Sequence, residues 1–192
     1  ENGFDGVSGL KFKLLSGAEL DQAGQPGTYM HYGTGWANVG CTPWTLYKHF
    51  THEGGISTPF IIHWPELIKK GGRIDSRPMH ITDIMTTCVD VSGAKYPSSY
   101  KGHNVLPMEG ISLIPAINGK KEKQRLICIE HEGNYMARRG DWKMVVAGFR
   151  GKAELYNISE DRSEQNNLSE KYPETVGLSQ YRTGWSSWVS CR

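Results

Sequence analysis

No run of about 18 apolar residues occurs in the 192-residue sequence, so no segment reads as a membrane-spanning helix. Cysteine is scarce. The four, Cys41, Cys88, Cys128 and Cys191, form no C-x-x-C unit, which excludes zinc ribbons and thioredoxin-type redox motifs. A dominant charge is missing as well: 22 basic residues face 20 acidic ones, for a net charge of +2. The one basic cluster, Lys120-Lys121-Glu122-Lys123, reads as a solvated turn, and no nucleic-acid partner is expected. The zinc-protease pattern H-E-x-x-H is begun twice and never completed. In His52-Glu53-Gly54-Gly55-Ile56 and His131-Glu132-Gly133-Asn134-Tyr135 the second histidine is absent, and in the first the Gly54-Gly55 pair disfavours a metal-binding helix. The opening Glu1-Asn2-Gly3 has no signal-peptide character, which in a fragment or mature form says nothing of export.

Core-forming residues are present. Hydrophobic residues make up 38%, with six Trp, nine Tyr and five Phe, so a folded core is expected rather than disorder. Nine glycines between Gly3 and Gly40 predict a long irregular loop over residues 1–45. A short helix is expected over 44–52, with Thr42 and Pro43 at its start, and a buried strand from Ile56 to Trp64. Ile81, Ile84, Met85, Cys88 and Val89 recur at helical spacing, which predicts a helix over Pro78–Val91 and buried thiols at Cys88 and Cys128. Tyr96–Pro107 reads as loop and Gly110–Ile117 as a short helix closed by Asn118-Gly119. Strands follow at Arg125–Glu130, at Met136–Arg139 and Trp142–Val146 around a Gly-Asp turn, and at Glu154–Asn157. Pro173–Trp188 is expected to be an amphipathic terminal helix weakened by two glycines. The order gives an α/β fold grading into α+β, without internal repeats.

The residues with most chemical promise lie between Leu46 and Pro59. Lys48 stands just before the Gly54-Gly55 pair and the apolar run Phe60-Ile61-Ile62. A lysine offers a compact charge with three donors, so beside a tight glycine turn it suits an anion. Glu53 is read as fixing the glycine backbone. His52 and His131 are candidates for a substrate pocket, while His31, His49, His63, His80 and His103 are read as structural or surface residues. Asn157-Ile158-Ser159 and Asn167-Leu168-Ser169 are glycosylation sequons, relevant only where the source glycosylates.

Lys48–Pro59 resembles the sulfatase pattern K-x-x-x-x-E-G-G-[IV]-x-x-P. The resemblance continues through Gly35-Trp36-Ala37-Asn38, Pro59–Pro65, His80–Met85, Gly110-Ile111-Ser112-Leu113, Arg138–Met144 (R-x-G-x-W-K) and Leu155–Leu168 (L-Y-D-L-x-x-D-x-x-E-x-x-N-L). It implies the C-terminal portion of a calcium-dependent arylsulfatase-like enzyme. The expected fold is the end of an alkaline-phosphatase-like α/β domain (1–120) followed by a small antiparallel sheet packed by a terminal helix (121–192). The implied chemistry is sulfate-ester hydrolysis with Lys48 as sulfate-binding catalytic residue.

The formylglycine nucleophile of such enzymes comes from a Cys or Ser in C/S-x-P-x-R. Cys41-Thr42-Pro43-Trp44-Thr45 lacks the arginine, so the nucleophile is expected upstream. Most Ca2+ ligands are expected there too, with Asn2 and Glu1 as the remnant of a D-N-G segment. The implied partners are a sulfate ester and the N-terminal remainder of the enzyme, and the implied location is periplasmic or secreted. The alternatives are a non-catalytic remnant that serves as a binding module, and a phosphoryl-transfer enzyme of the same fold. Alone, the chain is expected to be inactive and weakly stable. Urea unfolding checks this: a shallow transition at low urea is expected, and a steep transition at high urea would contradict it.

Overall fold

A computed structural model describes residues 2–4, 11–13, 17–26, 28, 33–120 and 124–177. The expected loop over residues 1–45 contains regular structure. Asn2–Phe4 (β1) pairs antiparallel with Lys11–Lys13 (β2), Gly17–Gln22 forms a 3-10 turn, and Gly33–Cys41 is a helix, α1. Three of the nine α1 residues are glycine, which depressed the sequence expectation. Polar side chains support the helix locally: Asn38 donates to the Thr34 carbonyl and Thr42 to the Asn38 carbonyl, each at 3.2 Å.

Two further expectations fail for backbone reasons. Residues 44–52 form turns instead of a helix, because Leu46 (φ 61°) and His49 (φ 94°) lie in the left-handed region. The strand expected over Ile56–Trp64 is replaced by a single helical turn, Glu53–Ile56 (α2), and then extended chain. A strand needs a neighbour for its N–H and C=O groups. Phe60, Ile61 and Ile62 meet none among the described residues, and Ile61 is 87% exposed.

Thr82–Ser92 (α3) is the expected helix, ended by Gly93 at φ 64°. Its buried anchor is polar: Ile81, Ile84 and Met85 are exposed, while Asp83 is fully buried. The Asp83 carboxylate accepts from the backbone N–H of His80 (2.8 Å) and Ile111 (3.0 Å), and from the Arg125 guanidinium at 2.7 and 2.5 Å. Burial alone would raise this carboxyl, but Arg125 and the two amides hold it below its ordinary value. Cys88 is exposed and Cys128 half-buried, against the expectation of buried thiols, and Cys41 and Cys88 are free thiols.

Ser99–Tyr100 (β3) and His103–Asn104 (β4) form a hairpin within the expected loop, turning on Lys101-Gly102, both at positive φ. Ile114–Ile117 (α4) is shorter than expected.

The C-terminal strands follow the sequence closely. Leu126–His131 (β5), Asn134–Arg139 (β6), Trp142–Val146 (β7) and Ala153–Asn157 (β8) make an antiparallel meander in chain order. Ile129, Met136 and Val145 stand opposite one another, as do Arg138 and Lys143 two rungs along. The core comprises Ile127, Met136, Val145, Tyr156 and Ile158, with Ile56 and Ile129 packed against it. Pro173–Gly177 (α5) lies by β8, and Trp142 packs edge-on to Tyr172 at 5.3 Å. The rest of the expected terminal helix falls outside the described residues. No described helix is long and apolar enough to cross a membrane.

Asp83 joins α3, the 110–113 segment and the start of β5. Asp83→Ala is expected to cost about 3–5 kcal/mol locally, because it strands Arg125 and two amides. Hydrogen exchange checks this: the amides of His80, Ile111 and α3 should lose protection while those of β6 and β7 keep theirs.

Candidate functional site

Lys48 lies on the turn between α1 and α2. It is exposed and makes no hydrogen bond or ion pair among the described residues. The left-handed residues Leu46 and His49 on either side fold the backbone back on itself. The fold-back brings carbonyls against the glycines: a Cβ at Gly54 would lie 2.0 Å from the Leu46 oxygen, and one at Gly55 would lie 2.0 Å from the Phe50 oxygen. Only glycine fits at either place. The Gly54 amide donates to the Thr45 carbonyl at 2.9 Å, closing the turn.

The turn is anchored to the sheet by charge. Lys143 of β7 is 0% exposed, and its Nζ lies 2.9 Å from Glu53 Oε1 and 2.8 Å from Glu164 Oε1. The first contact is a hydrogen bond; the second is an ion pair off the hydrogen-bond direction. The Glu53 amide donates to Glu164 Oε2 at 2.8 Å, so both carboxylates and the backbone interlock. Arg162 donates to Glu53 Oε2 at 3.4 Å and to Ser57 Oγ at 2.8 Å, with its guanidinium 4.6 Å from the Trp44 ring centre. Burial would raise the Glu53 carboxyl. The Lys143 ammonium outweighs this, aided by Arg138 and Arg162, and the carboxyl is held below its ordinary value.

His52 is 3% exposed and faces the sheet. Its Nε2 lies 3.2 Å from Glu154 Oε2, which also accepts from the Tyr156 hydroxyl at 2.5 Å. The hydrogen bond from His52 holds the Glu154 carboxyl low despite burial, with Tyr156 adding to it, so an ionised acceptor requires the proton on Nε2. The Tyr156 hydroxyl is pushed up by burial and by Glu154. The pocket role expected of His52 does not match this placement: the ring is enclosed between α2 and β8, away from the exposed Lys48.

His131 is exposed at the end of β5, beside His49. Their rings are 5.4 Å apart, and His49 Nδ1 is paired with Glu132 Oε2 at 2.8 Å. Asn2 contributes backbone to β1; its side chain and Glu1 lie outside the described residues. Sequence reasoning passed over Lys143, Glu164, Glu154, His49 and Glu132 as site residues. The signal for the first two was present, since Lys143 is the lysine of the W-K motif and Glu164 the acid of the L-Y-N-I…N-L motif.

No family model matches the chain. Among curated proteins, an uncharacterized sulfatase of Schizosaccharomyces pombe is 29% identical over 82% of this chain and 29% of its own length. The arylsulfatase of Klebsiella aerogenes is 37% identical over 55% of this chain and 22% of its own length. The chain is similar to these sulfatases over part of their length. It spans less than a third of the length of these two proteins. Among solved structures, one from Bacteroides thetaiotaomicron described under the metabolism of glycosaminoglycans aligns with a TM-score of 0.48 and 19% identity, over 71% of this chain and 31% of that one.

Three sequence motifs converge on one buried centre: Glu53 of E-G-G, Lys143 of W-K and Glu164 of the last motif. Cys41 is half-buried at the end of α1, and Thr45 donates its hydroxyl proton to the Ser163 carbonyl at 2.5 Å.

Lys143→Met tests the anchor. It should destabilise the protein by about 3–5 kcal/mol at neutral pH, since two buried carboxylates lose their cation. The pH dependence should also change sign. In the parent, Glu53 is depressed, so its stabilisation is complete above its unfolded value of 4.5 and is lost as pH falls through the lower folded value. In the variant, burial and mutual repulsion raise the carboxyls, so acidification should narrow the gap to the parent. Melting temperatures of both proteins across the acid range would decide; a constant gap would count against the anchor.

Proposed function

We propose that this chain forms part of a sulfatase that hydrolyses a sulfate ester, and that Lys48 holds the sulfate group. The observation that carries the reading is a lysine left exposed, with no partner among the described residues, on a turn whose other end is locked into the sheet by Glu53. Cleavage of a sulfate ester concentrates negative charge on the transferred group and on the leaving oxygen. A fixed ammonium gains most by meeting that charge as it develops. The motif likeness and the sulfatase relatives support the same assignment.

In this reading the fold continues an alkaline-phosphatase-like α/β domain, with residues 1–120 in that domain and 121–192 in the appended sheet. The nucleophile and the larger part of the calcium site belong to sequence outside this chain. Formylglycine would supply the attacking hydroxyl and calcium would hold the sulfate oxygens. Asn2 would offer an amide oxygen and Glu1 a carboxylate, which are ligands of the kind calcium takes. The isolated chain is therefore inactive, and the N-terminal remainder of the enzyme is its partner. Periplasmic or secreted placement accompanies the same reading. In this reading His131, exposed near the turn, contacts the ester's organic part.

Lys48→Ala in the full-length protein should lower kcat/KM for a sulfate ester by about 10²–10³-fold, the usual loss for one transition-state donor. Lys48→Arg should recover only part of it, because a planar fork does not replace a compact charge. Steady-state kinetics with sulfate and phosphate monoesters side by side checks the assignment. Undiminished turnover in Lys48→Ala would overturn the lysine's role. Preference for phosphate would move the protein to phosphoryl transfer, and an inactive parent would make it a non-catalytic relative.

A further inference from the structure

His49, His131 and Glu132 form a cluster beside the lysine turn. One ring nitrogen from each histidine and a carboxylate oxygen of Glu132 lie within 4.8 Å of one another, and all three side chains are exposed. They come from two places in the fold: His49 from the lysine turn, and His131 with Glu132 from the tip of the β5–β6 hairpin. The positive φ of Glu132 (50°) belongs to its tight turn with Gly133. That of His49 (94°) belongs to no regular hairpin, and such a strained backbone in a non-glycine residue marks places of functional use.

We propose that this cluster binds a divalent transition cation of the zinc class. Two imidazoles and one carboxylate are a common zinc donor set, with the fourth position left to water or an anionic ligand. Zinc bonds to nitrogen and oxygen are about 2.0–2.2 Å, so tetrahedral donors stand about 3.4 Å apart. The exposed side chains need to close by at most about 1.4 Å to reach that spacing, which rotation about their χ angles provides. The His49 Nδ1–Glu132 contact gives way on binding, as both atoms turn to the cation. The cation would tie the lysine turn to the β5–β6 hairpin. The site differs from a calcium centre in its nitrogen donors.

The test is zinc binding to the whole protein after treatment with chelator, measured by calorimetric titration without substrate. The parent should take up one equivalent that His49→Ala and His131→Ala each weaken at least ~10-fold, with unchanged far-ultraviolet circular dichroism. His103→Ala, at an exposed histidine on β4, should bind as the parent does. Lys48→Ala should bind zinc at least as tightly, since it removes a neighbouring positive charge; this separates the cation site from the sulfate-binding role. Absence of zinc uptake in the parent, equal affinity in His49→Ala and His131→Ala, or equal loss in His103→Ala would each overturn the proposal.

Discussion

A lysine with no exposed surface, pinned between two glutamates, organises the rest of this structure. Taking an ammonium and two carboxylates out of water costs several kcal/mol per ion, and their attraction recovers this only when the geometry is close to ideal. The contacts at 2.9 and 2.8 Å to Lys143 Nζ and the 2.8 Å bond from the Glu53 amide to Glu164 approach that condition. Such a centre contributes less to stability than to uniqueness. An apolar substitute would tolerate several arrangements of the segments around it, whereas Lys143 accepts one. That arrangement fixes α2 and the 158–164 turn against β7.

The 158–164 turn is itself built to present Glu164. The Asp161 carboxylate accepts from the amides of Gln165 at 3.0 Å and Asn166 at 2.7 Å, and Asn167 accepts from the amides of Leu155 at 3.1 Å and Ser169 at 3.0 Å. Burial would raise the Asp161 carboxyl, but these amides hold it below its ordinary value. The motif residues Asp161, Glu164 and Asn167 thus share one task. Two of them shape the loop, and the third carries its charge to Lys143. On the other side, Gly54 and Gly55 let the chain fold back tightly enough for Glu53 to enter the core while Lys48, five residues earlier, stays in water.

The sequence was most readable where structure is local. Alternation from Leu126 to Asn157 gave the four C-terminal strands almost to the residue, because each strand pairs with its neighbour in the chain. It was least readable where structure is imposed from elsewhere. The apolar run Phe60-Ile61-Ile62 has the composition of a buried strand, but no described strand lies beside it. In α3 the apolar periodicity found the helix and misjudged its buried face, which is held by Asp83. The site shows the same division. Glu53 was read as fixing the glycine turn, but its partners lie 90 and 111 residues away, and no periodicity reports a contact of that kind. His52 was read as facing a pocket because its neighbours are functional in character; Glu154, about a hundred positions on, turns it to the sheet.

Two lysines therefore carry opposite assignments, and the contrast favours the functional one. Lys143 is neutralised from two sides and has no surface from which to meet a ligand. Lys48 has surface and no partner among the described residues. An exposed lysine on a flexible loop would mean little, since its charge is screened and its side-chain entropy is lost on binding. Lys48 differs because its backbone is fixed: left-handed residues stand on both sides, two glycines pack against carbonyls behind it, and the next secondary structure is bolted to the sheet. The entropy of placing the turn has already been spent in folding, so an arriving anion has only the side chain to order. That is the preorganisation on which electrostatic stabilisation of a transition state depends. It reaches Lys48 through the backbone from a buried ion pair that touches no substrate.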